Sequence, residues 1–347
     1  MRDRWIGVCV VLTGLCLAPK SHSAEPPAKR QYVERHMGVD VHLTLYGGAE
    51  SAANDAAARA FARITALNAI FSDYEPDSEA MRLCRTAQPG EPVPVSPDLL
   101  TVLTTAHALS QRSDGAFAVT IGPVTKLWRR ARRQKELPDP MLLAAALKTV
   151  DYRHITLDPA ARTVTLARTD LQLDFGGIVK GYAAQQALQT LRTAGFPQSL
   201  VALAGDIAAG DAPPDAPGWK IGVAPLDRPN GPSSRWLKLA NVGVSTSGDA
   251  YQFVEINGVR YSHIVDSKTG LGLTHRSSVT IIAPDAMMAD GLATTATVLG
   301  SEAGMKLIAD TPRAEGLFVT ADGERLTVRE TPGWKRWEWG DSSEAKP

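Results

Sequence analysis

Apolar and polar residues alternate with period two along Val41-His42-Leu43-Thr44-Leu45-Tyr46, which predicts a half-buried strand. Ser51 to Phe71 follows, rich in alanine and with Phe61, Ile64, Leu67 and Ile70 at helical spacing. The chain therefore opens as strand, then helix. A second helix is predicted over Pro97 to Arg112, with Ser96 as its cap and Leu99, Leu100, Leu103, Ala106 and Leu109 as its apolar stripe. A shorter helix fits Pro138 to Leu147, and the basic run Arg129 to Lys135 before it reads as a charged loop facing solvent.

Further along, Ile155 to Leu157 and Val164 to Leu166 flank the turn residues Asp158-Pro159, as in a hairpin. Asp211 to Gly218 is a proline-rich loop. Strands are predicted at Trp219 to Val223, Leu237 to Leu239, Tyr251 to Ile256, Val259 to Ile264 and Ser278 to Ile282, with Asn257-Gly258 as a hairpin turn. Helices return at Ala286 to Leu299 and Ser301 to Ala309. Strands grouped in hairpins, rather than alternating with helices, predict an α+β fold of mixed and antiparallel sheets flanked by helices.

With 347 residues, 44% hydrophobic and 21% charged, the composition is that of a globular protein rather than a disordered chain. Lys plus Arg equals Asp plus Glu at 37 each, so no global field points to nucleic acid. The first residues change the picture more. Arg2 and Arg4 precede an apolar stretch, Trp5 to Ala18, too short to span a bilayer, and Ser21 and Ser23 permit cleavage before Ala24. Residues 1–23 thus read as a secretory signal peptide, 24–35 as a polar tether, 36–334 as one domain and 335–347 as a polar tail. Cys16 lies in a poor lipoprotein box because Leu15 is bulky. Cleavage leaves one cysteine, Cys84, so no internal disulfide is available, and with no histidine near it in sequence it reads as a small buried hydrophobe rather than a nucleophile.

Three segments carry candidate chemistry. Leu173 to Ala183 reads as a strand end, a glycine turn at Gly176-Gly177 and a helix start, with Asp174 and Lys180 bringing opposite charges to one turn. An anion or nucleotide site and a plain structural turn fit it equally. Asp290 and Thr294 stand four apart on a helix, a carboxylate and a hydroxyl on one face, suited either to magnesium or to a helix-start role and the core. His263 ends a strand before Ser267-Lys268-Thr269-Gly270, where it can serve as base or phosphate donor, or simply pack. No zinc spacing, Walker-type loop or internal repeat is present.

These segments occur in order with His36-Met37-Gly38, Phe71-Ser72-Asp73-Tyr74, Asp114-Gly115-Ala116-Phe117 and Ser245-Thr246-Ser247-Gly248-Asp249. Together they resemble the ApbE family, the FAD:protein FMN transferases, from about His36 to Gly300. The resemblance implies a single ApbE-type domain, related to the T-fold, binding FAD with Mg2+ on its phosphates. It implies that Met37, Tyr74, Ala116-Phe117-Ala118, Asp174, Lys180 and Ile264 line the FAD site. It also implies that the Gly177 carbonyl, Asp290 and Thr294 hold the metal.

The reaction so implied moves FMN onto a threonine or serine hydroxyl of an acceptor protein and releases AMP. Lys180 and His263 are the expected catalytic groups, with Asp249 a competing candidate. The expected acceptor carries a threonine flavinylation motif, as a subunit of a membrane redox complex or an exported electron carrier met on the periplasmic side. The same cleft would also serve an FAD pyrophosphatase or an FAD-binding protein of the envelope. Two departures stand out: Ala118 replaces the usual aspartate, and Ala204-Gly205-Asp206 replaces a double glycine before aspartate.

Overall fold

The computed structural model describes residues 27–227, 231–233, 235–249 and 252–340; the expected leader lies outside them. The first unit is the antiparallel pair β1 (Lys29–His36) and β2 (Val39–Tyr46), followed by the long helix α1 (Glu50–Phe71). The stretch expected as a tether is therefore a paired edge strand from Lys29 onward. Its polar side chains are compatible with that place, because an edge strand facing solvent needs no apolar face of its own.

Next come α2 (Glu79–Thr86), β3 (Pro92–Pro94) and α3 (Pro97–Arg112). The last keeps the predicted bounds because Ser96 accepts from Leu99 N–H at 3.2 Å and Pro97 needs no amide partner in the first turn. After a 3-10 turn, Val119–Ile121, the chain forms α4 (Gly122–Gln134) and α5 (Pro140–Leu147). The basic run predicted as a loop is mostly helix α4. Val124, Trp128 and Ala131 form a buried stripe beneath the arginines, and Lys135, at φ 56°, ends the helix.

β4 (Ile155–Asp158) and β5 (Thr163–Leu166) make the predicted hairpin and pair with β3. Leu171–Phe175 alternates like a strand but joins no ladder; Asp174 N–H instead donates to the Val119 carbonyl at 2.7 Å. The turn Gly176–Ile178 then starts α6 (Val179–Thr193).

The remaining elements are β6 (Ser199–Leu203), β7 (Asp206–Ala209), β8 (Trp219–Val223), β9 (Arg235–Leu239), β10 (Val242–Gly248), β11 (Phe253–Ile256), β12 (Val259–Ser262) and β13 (Arg276–Ala283). Helix α7 (Ala286–Ala309) and the pair β14 (Glu315–Asp322) and β15 (Arg325–Glu330) complete the set.

Eight strands form one antiparallel sheet in the order β1-β2-β6-β7-β10-β13-β14-β15. Helices α6 and α7 pack on one face, with α1 against α6, while the β8–β9 ribbon, with Trp219, and the 3-10 turn starting at Trp334 cover the other. Both faces of β13 are thus buried: Val279, Ile281 and Ala283 point to the helices, Ile282 to the ribbon. A third cluster joins α4, α5 and the β11–β12 hairpin through Val124, Trp128, Leu143, Val254, Ile256 and Val265.

Helix α7 breaks at Gly300, φ 78°, between the two predicted helices. The expected polar tail starts too early. Trp334–Trp337 is a 3-10 turn with Trp334 fully buried, and Trp339 N–H donates to the Trp236 carbonyl at 2.7 Å.

Candidate active site

Two neighbouring charge clusters define the site. The first forms where α4 meets the turn before α6. Arg129 pairs with Asp73 at 2.5 Å and with Asp174 at 3.2 Å, and its guanidinium lies 4.3 Å from the centre of the Tyr74 ring. Asp174 also accepts from Thr125 Oγ1 at 2.7 Å and from Gly176 N–H at 2.8 Å. Burial and the nearby Asp174 charge raise the Asp73 pKa above its ordinary value, against the pull of Arg129. Tyr74 itself is 73% exposed and forms part of a groove of about 760 Å3 with Arg129, Arg132, Arg133, Lys135 and Phe253. A smaller hollow of about 310 Å3, between Pro217, Lys238 and Trp337, contains none of the expected site residues.

The second cluster lies under the start of α6. Lys180 Nζ donates to Asp206, which also accepts from Ser245 Oγ at 2.6 Å. Asp290, 1% exposed, accepts from Gly181 N–H at 2.9 Å. Burial, and then repulsion from Asp206, push the Asp290 carboxyl up to about 7, while Lys180 and backbone N–H groups oppose that rise. Burial opposes the Lys180 charge as well, yet attraction to Asp206 and Asp290 holds the ammonium above its ordinary pKa.

Close approach of α6 to α7 requires the glycines. A Cβ on Gly181 would collide with the Ala286 carbonyl, and one on Gly177 would stand 2.8 Å from Thr294 Cγ2 and 3.0 Å from its Oγ1. Thr294 Oγ1 in turn lies 3.3 Å from Ser247 Oγ. Gly177, Asp290 and Thr294 therefore present a backbone carbonyl, a carboxylate and a hydroxyl at one junction, a hard-oxygen set suited to Mg2+. With Asp290 ionised, two carboxylates face one ammonium, and a cation there would offset the surplus negative charge.

His263 links the clusters electrostatically. Burial lowers its pKa first, with Arg132 and Lys180 lowering it further, against the raising effects of the Gln252 carbonyl and Asp249. The ring is therefore neutral near pH 7. Its Nδ1 lies 3.1 Å from the Gln252 carbonyl, which can only accept, so Nδ1 carries the proton and Nε2 keeps its lone pair. Asp249, the competing candidate, is 3% exposed and already accepts from Arg260 Nε at 2.8 Å and Ser277 N–H at 3.2 Å. That engagement leaves it a structural role.

Among the other expected residues, Ala116, Phe117 and Ala118 are buried and lead into the 3-10 turn whose Val119 carbonyl holds Asp174 N–H. Ile264 is buried beside His263. Met37 occupies the β1–β2 turn at φ 49° and packs against the main core. Cys84 is partly buried, and loss of solvent pushes its thiol up to about 11, so it is not a thiolate.

Sequence reasoning passed over Arg129, Asp73, Thr125 and Ser245, and gave Asp206 no role. The signal for Asp73 was its place beside Tyr74, and for Asp206 its place in the Ala204-Gly205-Asp206 segment. Arg129 was hidden in a run of similar residues.

The domain and its charged junction belong to the flavin-transferring class of α+β folds. Residues 37–318 match the model of the ApbE family, and the chain belongs to that family. A Treponema pallidum protein named FAD:protein FMN transferase is 33% identical over 71% of this chain and 72% of its own length. One of the same name from Haemophilus influenzae is 31% identical, over 75% and 77%. The flavin transferase ApbE of Vibrio cholerae superposes with a TM-score of 0.80 at 26% identity, over 90% of this chain and all of that one. A Pseudomonas stutzeri flavinyl transferase in its apo form gives 0.77 at 27% identity, over 90% and 97%.

Proposed function

We propose that this chain is an Mg2+-dependent FAD:protein FMN transferase. A threonine or serine hydroxyl of the acceptor attacks the FMN phosphorus of FAD. The bond from that phosphorus to the bridging oxygen breaks, and AMP leaves. The observation that carries this reading is the convergence of Lys180, Gly177, Asp290 and Thr294 at the start of α6, just after Asp174, whose partner Arg129 lies over Tyr74 in the groove.

Each group has a distinct task. Tyr74 and Asp174, held by Arg129, position the dinucleotide along the groove, together with Met37, Ala116, Phe117, Ala118 and Ile264. Gly177, Asp290 and Thr294 would hold Mg2+, which would supply positive charge to offset that of the phosphates. The Lys180 ammonium neutralises charge growing on the departing phosphate. His263 takes the hydroxyl proton at Nε2. The leader would place the reaction on the periplasmic side of the cytoplasmic membrane, with a redox-complex subunit or exported electron carrier as acceptor.

Mass spectrometry of a threonine-containing acceptor incubated with FAD, Mg2+ and the chain tests this. An FMN-sized mass gain, absent with Asp290→Ala, supports the reading. Free FMN and AMP with unmodified acceptor would replace it with a pyrophosphatase, and intact FAD with a binding protein. N-terminal sequencing of the envelope protein tests export, with Ala24 expected first.

A further inference from the structure

Helix α5, Pro-Met-Leu-Leu-Ala-Ala-Ala-Leu, has no polar side chain on any face. A helix on the surface of a globular protein ordinarily turns a polar face to water. Here Leu143 and Leu147 point inward, against Gly270 and the cluster around Trp128. Met141, Leu142, Ala144 and Ala145 point outward. Met141 is 83% and Leu142 52% exposed, and Leu137, just before the helix, is 44% exposed. The outward face of the helix is apolar and exposed, and Pro138-Asp139-Pro140 separates it from Leu137.

Its surroundings are basic. In a chain with formal net charge 0, residues 126–148 hold seven Lys and Arg against two acids, Glu136 and Asp139. Lys126, Arg130 and Arg133 recur at helical spacing and are exposed on α4, Lys135 is exposed at its end and Lys148 just after α5. Asp139 spends its carboxylate on the start of α5, accepting from Met141 N–H at 2.8 Å and Leu142 N–H at 3.0 Å. An exposed apolar helix face flanked in the chain by exposed basic side chains has the two ingredients, apolar insertion and positive charge, by which a segment rests in the headgroup layer of an anionic bilayer. Five outward apolar side chains are also too few for a stable protein interface, which takes roughly 800 Å2 from each partner.

We propose that α5 and the adjoining end of α4 form a docking surface for an anionic lipid bilayer. Met141, Leu142 and Leu137 enter the headgroup boundary, and Arg130, Lys135 and Lys148 face lipid phosphates. No described helix is long and apolar enough to cross the membrane, so the contact is peripheral. Arg133 and Lys135 also line the groove beside Tyr74, so docking brings the mouth of that groove to the lipid surface.

Co-sedimentation of the exported chain with vesicles tests the proposal, using phosphatidylcholine alone or mixed equally with phosphatidylglycerol. Binding is expected only with phosphatidylglycerol and is expected to weaken with salt. Met141→Ser with Leu142→Ser should lower the partition coefficient roughly tenfold or more, and Arg130→Glu with Lys148→Glu by a similar factor. Both variants should keep the wild-type melting temperature, since these side chains face outward.

Absence of binding to phosphatidylglycerol vesicles, or binding indifferent to the Met141 and Leu142 changes, overturns the proposal. So does a wild-type dimer in sedimentation analysis that the serine variant abolishes, because a second copy would then cover α5. Vesicle binding is read without FAD or acceptor and stands or falls separately from FMN transfer.

Discussion

The two charge clusters contain the same ingredients, two carboxylates and one cation, and resolve them differently. At Asp73–Arg129–Asp174 the guanidinium reaches both acids at once, a geometry its planar fork allows. At Asp206–Lys180–Asp290 the ammonium is a point charge bonded to Asp206, and Asp290 is left with backbone N–H groups. The first cluster is a closed clamp. The second leaves Asp290 buried with its carboxyl raised to about 7. Arginine against lysine is the chemical difference between a cluster whose two acids share one cation and a cluster whose second acid rests on backbone N–H groups.

The largest test of that contrast is in the open cluster. Asp290→Ala should reduce FMN transfer by at least roughly a hundredfold, measured as flavin covalently bound to the acceptor. In the closed clamp, Arg129→Gln should raise KM for FAD roughly tenfold or more with a smaller change in kcat, because a positioning group is lost and the ion site is kept. Equal losses of kcat and kcat/KM would place Arg129 in the chemistry instead.

A third test separates the clusters by pH. The folded Asp290 binds its proton more tightly than the unfolded chain does, so without metal its contribution to stability falls as pH rises from about 4 to about 7. In the proposed function Mg2+ would take the place of that proton. The rise in melting temperature on adding Mg2+ should therefore be larger well above pH 7 than near pH 5, and Asp290→Asn should abolish the difference. Burial lowers the His263 pKa, so transfer should fall with acid only below the ordinary imidazole range.

The smallest effect concerns the segment that lacks the family aspartate. Ala118 begins the 3-10 turn without a side-chain cap, and the buried Thr120 Oγ1 has no hydrogen-bond partner among the described residues. Ala118 is itself buried, so Ala118→Asp places a carboxylate where water is excluded and should destabilise the chain by about 1 kcal/mol or more in denaturant unfolding.

How much of this was legible in the sequence follows from where each signal comes from. Local signals carried over well: Ser96-Pro97 set the start of α3, Asn257-Gly258 turned the β11–β12 hairpin, and Gly300 broke α7 where two helices were expected. Helical spacing put Asp290 and Thr294 on one face of α7, but only the family resemblance pointed to a shared role for them. Pairing over long distances was not legible. Asp206 and Lys180 are 26 residues apart and Arg129 and Asp174 are 45 apart, and no periodicity announces either contact. Arg129 was the harder case, since side chains of the same type surround it and only the packing of Trp128 and Ala131 decides which way it points. Lys29–His36 failed for a related reason: an edge strand can be polar throughout, and its identity lies in its partner β2.

Calorimetric titration of Mg2+ into the FAD-loaded chain, beside Asp290→Asn and Arg129→Gln, tests the central contrast most directly. The account predicts one saturable Mg2+ site in the wild type, lost with Asp290→Asn and retained with Arg129→Gln. Unchanged Mg2+ binding by Asp290→Asn would contradict it and move the metal away from the Gly177, Asp290 and Thr294 junction.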